Sequence, residues 1–228
     1  MFTNFNANLA YSMYGVKTEE ELRKKIYATR SSITVEESDH LIELISKFDN
    51  PIYAEIGVYF GGTFAKILSS LKETKKDYYA YGFDLFEDLA QETFGENQTH
   101  DLVNKWNILN VAYRDDLDKT LREMGYEKFN LVKGSSDATV SSLESFLDVS
   151  LIDGNHTYEQ AKLDFEAVFS KCRTGSYIVF DNSSNNIEPD PRYVKLDGGP
   201  WKLCQELKQD SRVRFVSLIH RCSTFKVV

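Results

Sequence analysis

The run from Tyr53 to Leu68, Tyr-Ala-Glu-Ile-Gly-Val-Tyr-Phe-Gly-Gly-Thr-Phe-Ala-Lys-Ile-Leu, constrains this chain more than any other stretch. It reads as a short apolar strand, a glycine-bearing turn and a helix. Gly57, Gly61 and Gly62 carry no Cβ and tolerate positive φ, so the backbone there can come close to another group. Such a turn marks a ligand site.

The same unit recurs along the chain. From Ile52 the pattern predicts a strand to Ile56, a helix from about Gly62 to Leu71, a strand over 78–84, a helix over 118–124 and a strand over 129–133. A turn at 134–137, a helix over 139–146, a strand over 149–152, a helix capped by Thr157 and stopped by Gly175, and a strand over 177–180 follow. A helix over 201–209 precedes a closing hairpin, 213–220 and 223–228, turning through Arg221-Cys222. Alternating strands and helices predict an α/β fold: a doubly wound, mostly parallel seven-stranded sheet with a C-terminal antiparallel hairpin and helices on both faces. Two capping boxes, Thr18 with Glu21 and Thr34 with Glu37, open helices of an N-terminal extension over 1–50, preceded by an irregular arm. The core domain is expected over 51–228, with lid-like insertions at about 85–118 and 183–200 that are longer than ordinary connections. Aromatics there, Tyr193 and Trp201, are candidates for an acceptor pocket or for hydrophobic plugs.

In an open parallel sheet, ligands bind outside the carboxyl ends of the strands. Here the strands run in turn through Glu55 into the glycine turn, to Asp84, into Ser135-Ser136-Asp137, to Asp153, and to Asp181-Asn182. One strand-end acid is commonly only a turn former; five polar ends in order are harder to dismiss. An acid ending the second strand can accept from a ribose diol bound over the first turn, although a capping role is open to Asp84, and Glu87 and Asp88 are rivals. The spacing Gly57-x-x-x-Gly61-Gly62 is not the G-x-G-x-x-G of dinucleotide sites, and no Lys-Ser/Thr follows as in a P-loop. A nucleoside without phosphates fits better. Asp153, Asp181 and Asn182 form an all-oxygen set suited to a hard cation such as Mg²⁺.

These residues resemble the class I, Rossmann-like S-adenosylmethionine-dependent methyltransferases, on the run Glu55 to Thr63 followed by Asp84. Gly134-Ser135-Ser136-Asp137, Ile152-Asp153-Gly154-Asn155-His156-Thr157-Tyr158-Glu159 and Phe180-Asp181-Asn182 narrow the resemblance to the catechol O-methyltransferase and macrocin-type sugar O-methyltransferase branch. It covers roughly residues 50–185. The resemblance implies that Glu55, Gly57 and Thr63, with Gly61 and Gly62 of the turn, hold the methionine end of S-adenosylmethionine. It implies Asp84 on the ribose, Ser135, Ser136 and Asp137 near the adenine, and a divalent cation on Asp153, Asp181 and Asn182. His156 falls three residues after Asp153, where relatives place a base for the acceptor hydroxyl. The activity so implied is methyl transfer to a hydroxyl of a small molecule, preferably a sugar or sugar-linked metabolite. A metal-independent O- or N-methyltransferase and a non-catalytic cofactor-binding module are the alternatives.

Composition excludes other classes. The 228 residues are 42% hydrophobic, enough for a substantial core. With 27 basic against 35 acidic side chains, a net charge of −8 disfavours a nucleic-acid partner. No apolar run reaches the length of a bilayer span and no leader pattern opens the chain, so a cytoplasmic protein is expected, with a homodimer compatible with the aromatic arm. Cys172, Cys204 and Cys222 are expected to be reduced, and His40, His100 and His220 to serve packing or the surface.

Overall fold

The computed structural model describes residues 17, 18, 21, 31–75, 77–86, 113–184 and 198–228. The expected arm, the body of the helix behind Thr18, Glu87, Asp88, His100, Tyr193 and most of both expected insertions lie outside the described residues. In chain order the elements are α1 (Val35–Ser46), β1 (Ile52–Ile56), α2 (Gly62–Thr74), β2 (Tyr79–Asp84), α3 (Tyr113–Glu123), β3 (Phe129–Lys133) and α4 (Ser136–Ser141). They continue as β4 (Leu147–Ile152), α5 (Tyr158–Phe169), β5 (Cys172–Phe180), α6 (Gly199–Leu207), β6 (Val213–Ile219) and β7 (Cys222–Val227).

The strands form one sheet in the order β3-β2-β1-β4-β5-β7-β6, parallel from β3 to β5, with β7 antiparallel to both its neighbours. The chain winds outward from β1 to β3, then returns to the other side of β1 at β4. The crevice of such a sheet opens where that reversal falls, between β1 and β4.

Apolar side chains cover both faces, which is why the inner strands read as nearly unbroken hydrophobic runs. On one face Tyr53 and Leu151 pack with Leu41 and Leu44 of α1, Phe64 and Leu68 of α2, and Leu117 and Leu121 of α3. On the other, Ala54, Ile56 and Phe180 pack with Val140 of α4, Phe165 of α5 and Leu203 of α6. Phe64 and Phe165 are fully buried. Each contributes roughly 1.5–3 kcal/mol in transfer free energy.

Both capping boxes form. Glu21 N donates to Thr18 Oγ1 at 3.1 Å while Thr18 N donates to Glu21 Oε2 at 3.2 Å. Thr34 and Glu37 exchange the same pair of bonds at 2.7 and 3.2 Å. Thr157 caps α5 by accepting from Gln160 N.

Several boundaries differ from the sequence-based expectation. Gly175 does not stop α5: that helix ends at Phe169, and Gly175 lies inside β5 with φ +101°. Cys172 therefore begins a strand instead of completing a helical stripe. β4 starts two residues early because Asp148 is buried in it, held by Arg173 Nη2 at 2.7 Å and by Ile52 N at 2.9 Å. α3 opens at Tyr113, inside the expected insertion at 85–118, and buries Leu117 ahead of Leu121. The closing hairpin turns through His220-Arg221, one residue earlier than expected, with Ile219 paired to Cys222. Cys172, Cys204 and Cys222 are free thiols. His40 bridges α1 to Thr224 at 2.9 Å.

Candidate active site

One backbone hydrogen bond beyond each strand carries the parallel register onto the rim. Gly134 N donates to Asp84 O, Gly57 N to Phe83 O, Asp153 N to Ile56 O and Asp181 N to Ile152 O, all at 2.9–3.0 Å. The polar strand ends noted in the sequence thus stand in one row, in the spatial order of the strands.

The glycine turn is tight for internal reasons. Gly57 has φ +84°, and a Cβ there would lie 2.1 Å from the carbonyl oxygen of Asp153. Gly61, at φ +79°, would meet the Leu117 side chain at 2.6 Å, and Gly62 is the first residue of α2. Between them Tyr59 is left-handed, φ +50°, as is Phe86 at +46° after β2. Asp84 holds both, accepting from Tyr59 N through Oδ2 and from Phe86 N through Oδ1, each at 3.0 Å. The capping role open to Asp84 is therefore real. It does not exhaust the carboxylate, because each oxygen keeps a second lone pair.

Glu55 sits beneath the turn, 1% exposed, and accepts from the Tyr53 hydroxyl at 2.8 Å. Burial pushes its carboxyl well above the usual range, Asp153 and Asp84 add to this, and the Tyr53 bond opposes it. Thr63 is also buried; its Oγ1 lies 2.8 Å from Ser31 Oγ. On the far side of Asp84, Ser135 donates to Asp137, and Ser136 donates to Asp164 of α5, whose other partner is Gln160 Nε2 at 2.9 Å.

At the β4 and β5 ends, four side chains converge. His156 Nε2 lies 3.5 Å from Asp153 Oδ1 and 3.3 Å from Asn182 Nδ2, and Asn182 Nδ2 donates to Asp181 Oδ2 at 2.8 Å. Asn182 adopts φ +51°, a conformation asparagine tolerates better than most residues. Gly199, at the start of α6, abuts the carbonyl oxygen of His156 so closely that a Cβ would lie 2.5 Å from it, which fixes that loop. Asp181 is 1% exposed; burial and the neighbouring Asp153 push its carboxyl well up, and Arg221 opposes them. Ligand atoms of Glu37, Asp181 and Cys222 also gather within 4.8 Å. Burial drives the Cys222 thiol far up in the absence of a metal, and its soft sulfur does not match a hard cation. The oxygen donors of Asp153, Asp181 and Asn182 fit a hard divalent cation by type.

Three residues of the site had no signal in the sequence. No local pattern marks Ser31 and Ser32, yet Ser31 reaches Thr63 and Ser32 Oγ donates to Asp153 Oδ2 at 2.6 Å. Arg221 read as a turn residue, yet its guanidinium reaches Asn182 Oδ1 at 3.3 Å and Asp181 Oδ1 at 3.7 Å. Trp201 is the third residue of α6 and half-buried.

Residues 54–183, more than half of the chain, match the family described as "Methyltransferase domain". The chain belongs to that methyltransferase family. Its sheet order and mixed strand directions are those of the class I, Rossmann-like S-adenosylmethionine-dependent fold. Among solved structures, the O-methyltransferase NovP superposes with a TM-score of 0.61 at 15% identity, covering 96% of this chain and 95% of that one. MycE methyltransferase of the mycinamycin biosynthetic pathway, solved with Mg and S-adenosylhomocysteine (SAH), gives 0.55 at 14% identity, covering 99% of this chain and 55% of MycE. An uncharacterized protein of Acanthamoeba polyphaga mimivirus is 29% identical over 148 residues, 63% of this methyltransferase and 58% of the viral protein. The match thus spans less than two thirds of that relative. No described helix of the methyltransferase is long and apolar enough to cross a membrane.

Two buried acids and the half-buried Asp84 make a pH dependence of stability. Glu55, Asp84 and Asp164 all have folded-state pKa values raised above their ordinary 4.5, 3.8 and 3.8, burial being the largest cause in each. From about pH 4 upward the native state therefore holds more protons than the unfolded chain, and stability falls as pH rises through that window. The melting temperature of ligand-free protein in EDTA is expected to decline as pH rises from about 4 through the raised pKa values of these acids, and Glu55→Gln to flatten the decline. A wild-type melting temperature that climbs across this range contradicts the assignment.

Proposed function

We propose that this chain transfers a methyl group from S-adenosylmethionine to a hydroxyl of a small acceptor, a sugar or sugar-linked metabolite, with a divalent cation at Asp153, Asp181 and Asn182. The observation that carries the reading is the convergence of His156, Asp153, Asp181 and Asn182 on the crevice side of the glycine turn. The name of NovP, an O-methyltransferase, favours oxygen over nitrogen as the acceptor atom, and the complex of MycE with Mg agrees with a metal.

When bound, S-adenosylmethionine supplies an already activated sulfonium methyl, and a divalent cation supplies Lewis acidity toward a hydroxyl. The chain's own residues supply alignment and a proton acceptor. Gly57, Gly61, Gly62 and Thr63 give the methionine end a closely approachable backbone over the buried Glu55, Asp84 offers its spare lone pairs to the ribose, and Ser135, Ser136 and Asp137 flank the base. His156 Nε2 lies 3.3 Å from Asn182 Nδ2 and 3.5 Å from Asp153 Oδ1; the long Asn182 contact would give way to an acceptor hydroxyl, and Asp153 would stabilise the imidazolium that forms. As the acceptor oxygen takes the methyl, its O–H bond breaks and the proton passes to Nε2. The products are the methyl ether, SAH and protonated His156.

One observation favours a metal-independent variant of the same reaction: a guanidinium, Arg221, already stands beside Asp181. The test is methyl transfer from labelled S-adenosylmethionine to a panel of hydroxylated sugars, in EDTA and with Mg²⁺ restored. Activity is expected only with Mg²⁺, and His156→Ala is expected to lower kcat by roughly 10²–10⁴ without changing SAH affinity. Undiminished turnover in EDTA and in Asp153→Ala selects the metal-independent reading. SAH binding without transfer to any hydroxyl reduces the protein to a cofactor-binding module.

A further inference from the structure

Arg221 arrives at the site through topology. Because β7 runs antiparallel to β5, with Phe180 paired to Ser223, the β6–β7 turn lies beside the carboxyl end of β5. The turn is fixed there: Arg221 N donates to Glu37 Oε1 at 2.9 Å, and Arg221 O accepts from Ser183 N and Ser183 Oγ, both at 2.8 Å. His220 holds φ +49° to aim it.

Among the described residues, the guanidinium then meets carboxylate and carbonyl oxygens. Nη1 donates to Asn182 Oδ1 at 3.3 Å, Nη2 donates to Ser32 O at 2.8 Å and lies 3.7 Å from Asp181 Oδ1, and Nε lies 3.8 Å from Glu37 Oε1. Two carboxyl groups, of Glu37 and Asp181, flank the one guanidinium, and Asp153 neighbours Asp181. This is no site for an anionic group of an acceptor. Two of these four oxygens, on Asp181 and Asn182, belong to the set assigned above to a cation.

We propose that Arg221 is the resident counter-cation of the strand-end acids, that it competes with a divalent cation for Asp181 and Asn182, and that it latches the Ser31–Ser32 segment across the site. The proposal rests on the cation-site reading of Asp153, Asp181 and Asn182. A unit charge about 4 Å from Asp181 is worth more than tenfold in a cation's binding constant even at the high effective dielectric of a protein surface. With a cation on Asp181 and Asn182, Arg221 would lose those partners and with them its hold on Ser32 O, and Ser32 Oγ on Asp153 would remain as the segment's bond to the acids. Arg221 is in this sense a positioning residue: it sets when the acids accept a cation and how firmly the segment lies over them.

The experiment is Mn²⁺ titration of the full chain, read by electron paramagnetic resonance with no cofactor or acceptor present. Arg221→Gln is expected to bind Mn²⁺ at least tenfold tighter than wild type, and Arg221→Lys, which keeps the charge, to stay within about threefold of wild type. Equal or weaker binding by Arg221→Gln overturns the proposal, as does absence of Mn²⁺ binding in both proteins. SAH calorimetry on the same samples tells these failures apart from failure of the methyltransferase reading, since SAH binding does not depend on Arg221. If Arg221→Gln does not fold, hydrogen exchange on wild type decides: amides around residues 31–34 are expected to exchange faster at saturating Mn²⁺, and unchanged or slower exchange overturns the latch.

Discussion

Gly57→Ala is expected to cost roughly 3–5 kcal/mol and to abolish SAH binding, a large share of the ~5–15 kcal/mol that holds a domain of this kind together. Two effects add at this position. The φ of +84° is itself strained for any L side chain, by roughly 1–2 kcal/mol. The larger part comes from the new methyl lying 2.1 Å from a backbone oxygen, that of Asp153, with its carbonyl carbon at 2.6 Å and Gly154 Cα at 2.9 Å. Backbone cannot rotate aside as a side chain can, so the ends of β1 and β4 must part, and with them the rim that carries Asp153 and Asp181. Gly61→Ala is the internal control. Its φ is nearly the same, but the clash is with the Leu117 methyls at 2.6 and 3.1 Å, which can shift, so about 1–2 kcal/mol is expected. Urea unfolding of the two variants checks this; equal losses would show that φ strain, not the β1–β4 approach, makes Gly57 necessary.

That comparison shows what the sequence could and could not reveal. The glycine run was legible as a close approach because only glycine serves there, but the approaching group turns out to include the chain's own β4 end. Strands β1 and β3 have their expected limits, since apolar runs bounded by turns leave little freedom. The capping boxes were legible because they are local: Thr34 and Glu37 need only each other. Glu37 also shows the limit, because its second oxygen serves Arg221 N, 184 positions away. β5 was misread because Ala161, Phe165, Val168 and Cys172 continue one helical stripe across what is a turn, and Gly175 then looks like a stop. Asp148 fell outside the expected strand because burial of a charge is intelligible only once Arg173 is seen beside it. Arg221 was illegible for a topological reason. Its place depends on β7 inserting between β5 and β6, and no local pattern encodes strand order.

Asp84→Asn is expected to weaken SAH binding by about 100-fold, or ~2.7 kcal/mol. Both carboxylate oxygens are in use: Oδ2 for Tyr59 N and Oδ1 for Phe86 N. An amide supplies one acceptor oxygen and one NH₂, so whichever way it is turned, a donor faces a donor. Leaving a buried N–H without its partner costs roughly 1–3 kcal/mol, and the lower end applies because Asp84 is half-buried. The penalty falls on residues that are strained to begin with, since Tyr59 and Phe86 hold positive φ at roughly 1 kcal/mol or more each. Released from Asp84, each relaxes toward ordinary backbone, and the turn loses the shape it presents to the crevice. A ribose bound there also loses the negative acceptor for its hydroxyls, which adds to the loss in affinity without further loss of stability. Calorimetry with SAH and thermal unfolding of the ligand-free protein separate the two contributions. A variant destabilised by about 1 kcal/mol that still binds SAH within threefold of wild type would make Asp84 a brace for the turn and nothing more. A 100-fold loss with the same small destabilisation requires that the carboxylate touch the ligand, because a turn disturbed by that much cannot by itself account for ~2.7 kcal/mol of binding.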